Sequence, residues 1–237
     1  MVFRAARRVA LSCWRRDRDD VLETQRPSPF LGRKGGPSLG AWRHPLLMVG
    51  TDPLEVDRLL TGGELACPGC AGELRPWGYA RSRGVRAEDT IAVVRPRRSC
   101  CSGCRSTHVL LPASMLVRRA DAVVVIGGAL LAKATGVGHR PIAGMLGRPE
   151  GTVRGWLRRF GTRAAGVRVL FTGLLHVLDP TVGAVTPTGS VFGDALEVLG
   201  LAAAAAARMF GPRPAWQFAA SASGGLLLGP SPSTNTS

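Results

Sequence analysis

The sequence predicts an α+β fold, mainly α, in which a small cysteine-bearing β module precedes a run of helices. Three observations lead there. Four cysteines fall in two CxxC turns, Cys67/Cys70 and Cys101/Cys104, among short β-type segments. From about residue 114 the apolar residues take up a helical period. Basic residues crowd one stretch, ten against two acidic over 113–170. The chain of 237 residues carries 31 basic and 16 acidic groups, a net charge of +15, so a polyanion is the expected partner. Only Lys34 and Lys133 are lysines, and GC-rich codon usage is a competing source of the arginine surplus.

Taken in order, residues 1–47 mix arginine clusters with Pro27, Pro29, Gly35, Gly36 and Pro37 and keep no apolar period. They read as a disordered basic tail, which a downstream start at Met48 would omit. Residues 48–113 form the β module with a short leading helix. Thr51 is the expected cap, Pro53 sits in the first turn, and Gly62-Gly63 ends the helix. Thr90-Ile-Ala-Val-Val94 and His108-Val-Leu-Leu111 are strands by β-branching and apolar content, the second stopped by Pro112. Helices are expected over 121–134, 141–146 and 151–163, within a domain spanning 114–168. Residues 169–237 form a C-terminal helical segment. Its pieces over 164–178 and 195–210 flank a loop with Pro180, Pro187 and Gly189, and the end from Gly229 frays. With aromatics at 5%, the core must be built mainly from Ala, Val and Leu.

The two CxxC turns are separated by 30 residues, room for a strand hairpin between two metal knuckles. Four thiolates suit tetrahedral Zn²⁺, and a site closed by four protein ligands is structural rather than catalytic. Glycine before each second cysteine, Gly69 and Gly103, eases the tight turn. A redox dithiol is the alternative, but it belongs at a helix start in a βαβ setting that this sequence lacks. Cys100 neighbours Cys101 and could compete as a ligand, but it is out of the CxxC register; His108 could ligate if one thiolate were absent, but reads as a surface strand residue. The module is thus a zinc ribbon held by Cys67, Cys70, Cys101 and Cys104, with one Zn²⁺ per chain.

The segment from His139 to Arg158 carries the marks of a helix-turn-helix. Ala143, Gly147 and Val153 stand four and six residues apart, the small residue, turn glycine and apolar anchor of a bihelical unit. Val153, Trp156, Leu157 and Phe160 form one buried stripe. Thr152, Arg154, Arg158 and Arg159 lie off it and could face a DNA groove, while Arg140, Arg148 and Arg163 are expected phosphate contacts. An ordinary helical hairpin with a solvated basic face is the plain alternative.

Catalysis finds no support. Beyond the helix-turn-helix only Asp179, Asp194 and Glu197 remain as carboxylates, too few and too close together in chain for a nuclease fold. No export signal is convincing, no apolar run of roughly 20 residues spans a bilayer, and a cytoplasmic protein is expected. No small-molecule substrate is indicated.

Residues Cys67 to Pro112, with Cys-Pro-x-Cys, Trp77-Gly78-Tyr79 and Arg-Pro-Arg-Arg before the second knuckle, resemble the N-terminal zinc ribbons of insertion-sequence transposases. Residues 48–228 are similar to a family of small, uncharacterised helix-turn-helix proteins of high-GC bacteria, through Pro68–Ala80, Thr107–Pro112 and Thr172–His176. The resemblance implies DNA binding. A transposase would continue into a domain with three catalytic acids, which this chain lacks. The expectation is a sequence-directed binder of double-stranded DNA, a transcriptional regulator or mobile-element targeting protein, as a homodimer or beside a separate catalytic partner. The alternatives are a non-catalytic component of a transposase or recombinase system and a zinc-ribbon protein–protein adaptor.

Overall fold

The computed structural model describes residues 46–229. The expected tail up to residue 45, with Cys13 and His44, and the expected frayed end from residue 230 lie outside the described residues. Within these bounds the fold is α+β, and the helices dominate.

The first described element is strand β1 (Leu46–Val49), which was not expected from the sequence. Helix α1 (Pro53–Thr61) follows. Its cap is Asp52 rather than Thr51: the Asp52 carboxylate accepts the Leu54 N–H at 2.9 Å, and Pro53 takes the first helical position, where no N–H is needed. Strands β2 (Leu74–Tyr79), β3 (Arg83–Arg86), β4 (Ile91–Val94), β5 (Arg97–Cys101) and β6 (Thr107–Pro112) complete the β part. One sheet runs in the order β1-β6-β5-β2, with β1 parallel to β6, and β3 and β4 form a separate antiparallel pair. β2 is irregular between Pro76 and Tyr79, where proline lacks a donor and Gly78 takes a φ of 83°.

The helices are α2 (Val123–Ala134), α3 (His139–Leu146), α4 (Glu150–Leu178), α5 (Val191–Phe210) and α6 (Ala215–Ala222). α4 is one helix of 29 residues, where two pieces divided near residue 164 were expected. Val153, Trp156, Phe160, Ala164, Val167, Phe171, Leu175 and Leu178 recur every three or four residues and are all buried. The stripe has no gap, so nothing ends the helix, and a domain boundary at 168/169 would cut through its middle. α6 was also unexpected. Its Trp216 ring occupies the space beside Gly127 of α2, where an added Cβ would come within 2.0 Å of the indole.

Two apolar cores result. The smaller gathers Val49, Val56, Leu60, Leu65, Leu74 and Leu110 around Cys67 and Cys101. The larger fills the helical part and reaches back to Val85 of β3 and Leu111 of β6. The β3–β4 pair is therefore docked on the helices, across the expected boundary at residue 113. Backbone bonds from Arg86 N–H to the Ala120 carbonyl and from Ala122 N–H to the Arg86 carbonyl fix it there, at 2.8 and 2.9 Å. No helix among the described residues is long and apolar enough to cross a membrane.

Candidate metal centre and basic surface

The two CxxC turns close on each other. Each is held by the same pair of backbone bonds. Ala71 N–H donates to the Cys67 carbonyl and Cys67 N–H to the Gly72 carbonyl; Arg105 N–H donates to the Cys101 carbonyl and Cys101 N–H to the Ser106 carbonyl. The left-handed residue of each turn follows the second cysteine, Ala71 with φ 57° and Arg105 with φ 62°. Gly69 and Gly103, expected to ease the turns, do not adopt positive φ. The critical glycine is Gly72, where a Cβ would stand 3.0 Å from Cys101 Sγ and 3.3 Å from Cys70 Sγ.

The antiparallel pairing Leu74↔Cys101 between β2 and β5 brings the knuckles together. The sulfurs of Cys67, Cys70, Cys101 and Cys104 all lie within 4.8 Å of one another, so the group could hold a metal ion. Cys67 and Cys104 are 3.7 Å apart, and Cys70 and Cys101 are 3.4 Å apart. A tetrahedron with metal–sulfur bonds of about 2.3 Å has edges of roughly 3.8 Å, so the spacing fits a tetrathiolate centre. Cys67 and Cys101 are buried and Cys70 and Cys104 exposed, which leaves one side of the cluster open to an entering cation.

Electrostatics differ around the cluster. Burial pushes the Cys67 thiol up to about 12, whereas hydrogen bonds from the Ser106 hydroxyl and N–H bring Cys104 down to about 6. Cys101 is also lowered, chiefly by the Cys104 N–H. A bound cation favours the thiolate at all four positions. Cys100 stands outside the group: it alternates with Cys101 along β5, and its thiol lies 3.6 Å from the Arg105 carbonyl. His108 departs from expectation. It is buried, not surface, with Nε2 3.5 Å from Cys67 Sγ, because its position on β6 faces the cluster.

The basic residues divide into two sets. Helices α3 and α4 are joined by residues 147–149, with Gly147 left-handed at φ 58°, and Ala143 and Val153 are buried on either side. Arg154, Arg158 and Arg159 are exposed on α4, and Thr152 is half-buried. Arg140 is exposed as well, 3.4 Å from Glu150. Arg148 does not belong with them. Its side chain is only 11% exposed, and Nε donates to the buried Asp121 carboxylate at 2.7 Å. Arg86 Nη2 donates to the other oxygen of Asp121, also at 2.7 Å. The expected phosphate contact is instead an internal tie between the α3–α4 turn, the start of α2 and the β3–β4 pair, where Arg148 Nη2 also reaches the Ala87 carbonyl. Arg163 is half-buried too, and burial lowers its pKa, so it is not the free surface cation expected.

Asp121 was passed over in the sequence, and His108 was expected at the surface. Their roles depend on partners 27 and 41 residues away, Arg148 and Cys67. No family model, no curated protein and no solved structure matches this chain.

Proposed function

We propose that the chain binds double-stranded DNA in a sequence-directed manner through α3 and α4 acting as a helix-turn-helix. The β module acts as a zinc ribbon that holds one structural Zn²⁺ on Cys67, Cys70, Cys101 and Cys104. The observation that carries this reading is the division of α4. Val153, Trp156 and Phe160 are buried, while Arg154, Arg158 and Arg159 stay exposed and, among the described residues, form no ion pair with a carboxylate. Unpaired guanidiniums on one helix face suit guanine edges and phosphates. Arg140 adds a cation at the start of α3. Four thiolates leave the metal no open position, so its role is to hold the fold rather than to catalyse. A regulator, or the targeting component of a mobile element, fits this combination.

Fluorescence anisotropy with a mixed-sequence duplex tests it. The wild type should bind at low salt and lose affinity steeply as salt rises. Arg154→Ala/Arg158→Ala should weaken binding by about tenfold or more. A wild-type chain with no duplex affinity at low salt contradicts the reading. A second reading, a protein adaptor, is favoured by the exposed Trp77, Tyr79, Ile91 and Val93 on the β part. It predicts that Trp77→Ala and Val93→Ser disturb partner capture and leave duplex affinity unchanged.

A further inference from the structure

A second basic feature lies off the exposed face of α4, in a cleft of about 350 Å³ between the β2–β3 loop and the segment leading into α2. Arg81 and Arg83 stand on one wall and Arg118 and Arg119 on the other, and no carboxylate lines it. The nearest acid in sequence, Asp121, is already shared by Arg86 and Arg148. Among the described residues none of the four arginines forms an ion pair.

The cleft is preformed. Its base is stitched by the backbone bonds between Arg86 and residues 120 and 122, and the far wall is tied to the C-terminal loop by Val117 N–H on the Gly225 carbonyl. Arg118 holds a left-handed φ of 59°, a costly conformation for a residue with a side chain. Arg119 donates through Nη2 to the Leu228 carbonyl, yet its buried Nε has no acceptor. Burial, and then repulsion from Arg159 of α4, lowers its pKa. Arg119 thus feels the charge of Arg159, a residue of the exposed face of α4. Four arginines lining one cleft, with no carboxylate among its lining residues, suit a multivalent oxyanion, and the planar guanidinium fork matches phosphate oxygens.

We propose that this cleft is a phosphate-binding site, and that the phosphate it takes is a backbone phosphodiester of the duplex lying against α4. The source of the phosphate rests on the DNA-binding reading above; the site chemistry does not. Like other phosphate contacts it fixes docking and carries no sequence information.

Two arms test the full chain, with Arg81→Ala/Arg83→Ala beside the wild type. Both residues are exposed, and far-UV circular dichroism checks that the variant keeps its fold. In the first arm, duplex binding is followed across salt concentrations. The variant should lose about tenfold in affinity near 0.1 M salt, and its salt slope should fall by roughly one to two, equally for every duplex sequence. Arg81→Lys/Arg83→Lys should restore most of the slope. In the second arm, inorganic phosphate is titrated against arginine Nε resonances. Those of the cleft should shift in the wild type and stay fixed in the alanine variant. Unchanged duplex affinity and slope in the alanine variant, alongside lost binding in Arg154→Ala/Arg158→Ala, overturns the cleft proposal and leaves the α4 reading standing. Phosphate-induced shifts with no duplex binding sustain the site for a small phosphate-bearing ligand and remove the DNA reading. Silence in both arms overturns both.

Discussion

The β part and the helical part of this chain have apolar cores of very different size. Among the described residues, the small core around the knuckles has nine buried apolar residues, two of them the cysteines Cys67 and Cys101. The helical core has thirty-six among the same residues, rich in alanine along α5 and anchored by Trp156, Phe160, Phe171 and Trp216. A core of nine is below what a free-standing module usually needs, and small modules of that kind rely on a metal or disulfides. The four-cysteine cluster is arranged so that it could hold the first. The helical part has no such need, because α4 and α5 bury continuous faces against each other, with Phe160 and Phe192 edge to face at 4.8 Å. One half should therefore answer to metal and the other to packing.

The largest effect should come from the metal. In Cys67→Ser/Cys101→Ser, or after chelation, on the order of 10 kcal/mol of coupled binding and folding free energy is lost from the β part. Hydrogen exchange should then show β2, β5 and β6 unprotected and α2, α4 and α5 still protected. Uniform loss of protection would show that the two parts do not depend on metal and packing separately. Metal analysis should give one ion per wild-type chain and none in the double variant.

Gly127→Ala strikes the helical part instead. Its Cβ would meet the Trp216 indole at 2.0 Å, an overlap that rotamer change alone cannot relieve. Denaturant unfolding should show a loss of about 3 kcal/mol, with metal content unchanged. Asp121→Asn acts on the junction: it removes the charge shared by Arg86 and Arg148 but keeps the volume. We expect about 2 kcal/mol of destabilisation and faster exchange in β3 and β4, since one buried cation loses its counter-charge.

The smallest effect is a pH dependence at Asp194. The Thr188 N–H, the Thr188 hydroxyl and the Arg168 charge, against the cost of burial, hold its carboxyl below the usual range. A depressed carboxylate contributes stability that is present above the unfolded value of about 4 and is lost as pH falls through the folded value. Asp194→Asn should flatten the acid side of the stability profile below about pH 4 and leave the neutral region comparatively level.

How much of this was legible in the sequence follows the same division. The cysteine cluster was legible because CxxC ligands are local and a knuckle is defined within five residues. Gly147 and the buried positions Val153, Trp156 and Phe160 were legible for the same reason, although Leu157, expected in the same stripe, is half-buried. The role of Arg148 was not, because its partners Asp121 and Ala87 lie 27 and 61 residues away. In sequence it looks like its neighbours Arg154 and Arg158. β1 gave no signal of its own, since four residues with no turn motif acquire strand character only by pairing with β6. The unbroken run of α4 could have been found. The apolar positions pass through residue 164 without losing phase, although Gly161 and Gly166 lower the local helix propensity.

Selection of bound duplexes from random sequence separates reading of bases from attraction to phosphates. One enriched motif is expected, abolished in Arg154→Ala/Arg158→Ala and retained, at lower affinity, in Arg81→Ala/Arg83→Ala. Recovery of bound DNA with no enriched sequence would show that α4 offers charge alone, and would contradict sequence-directed binding.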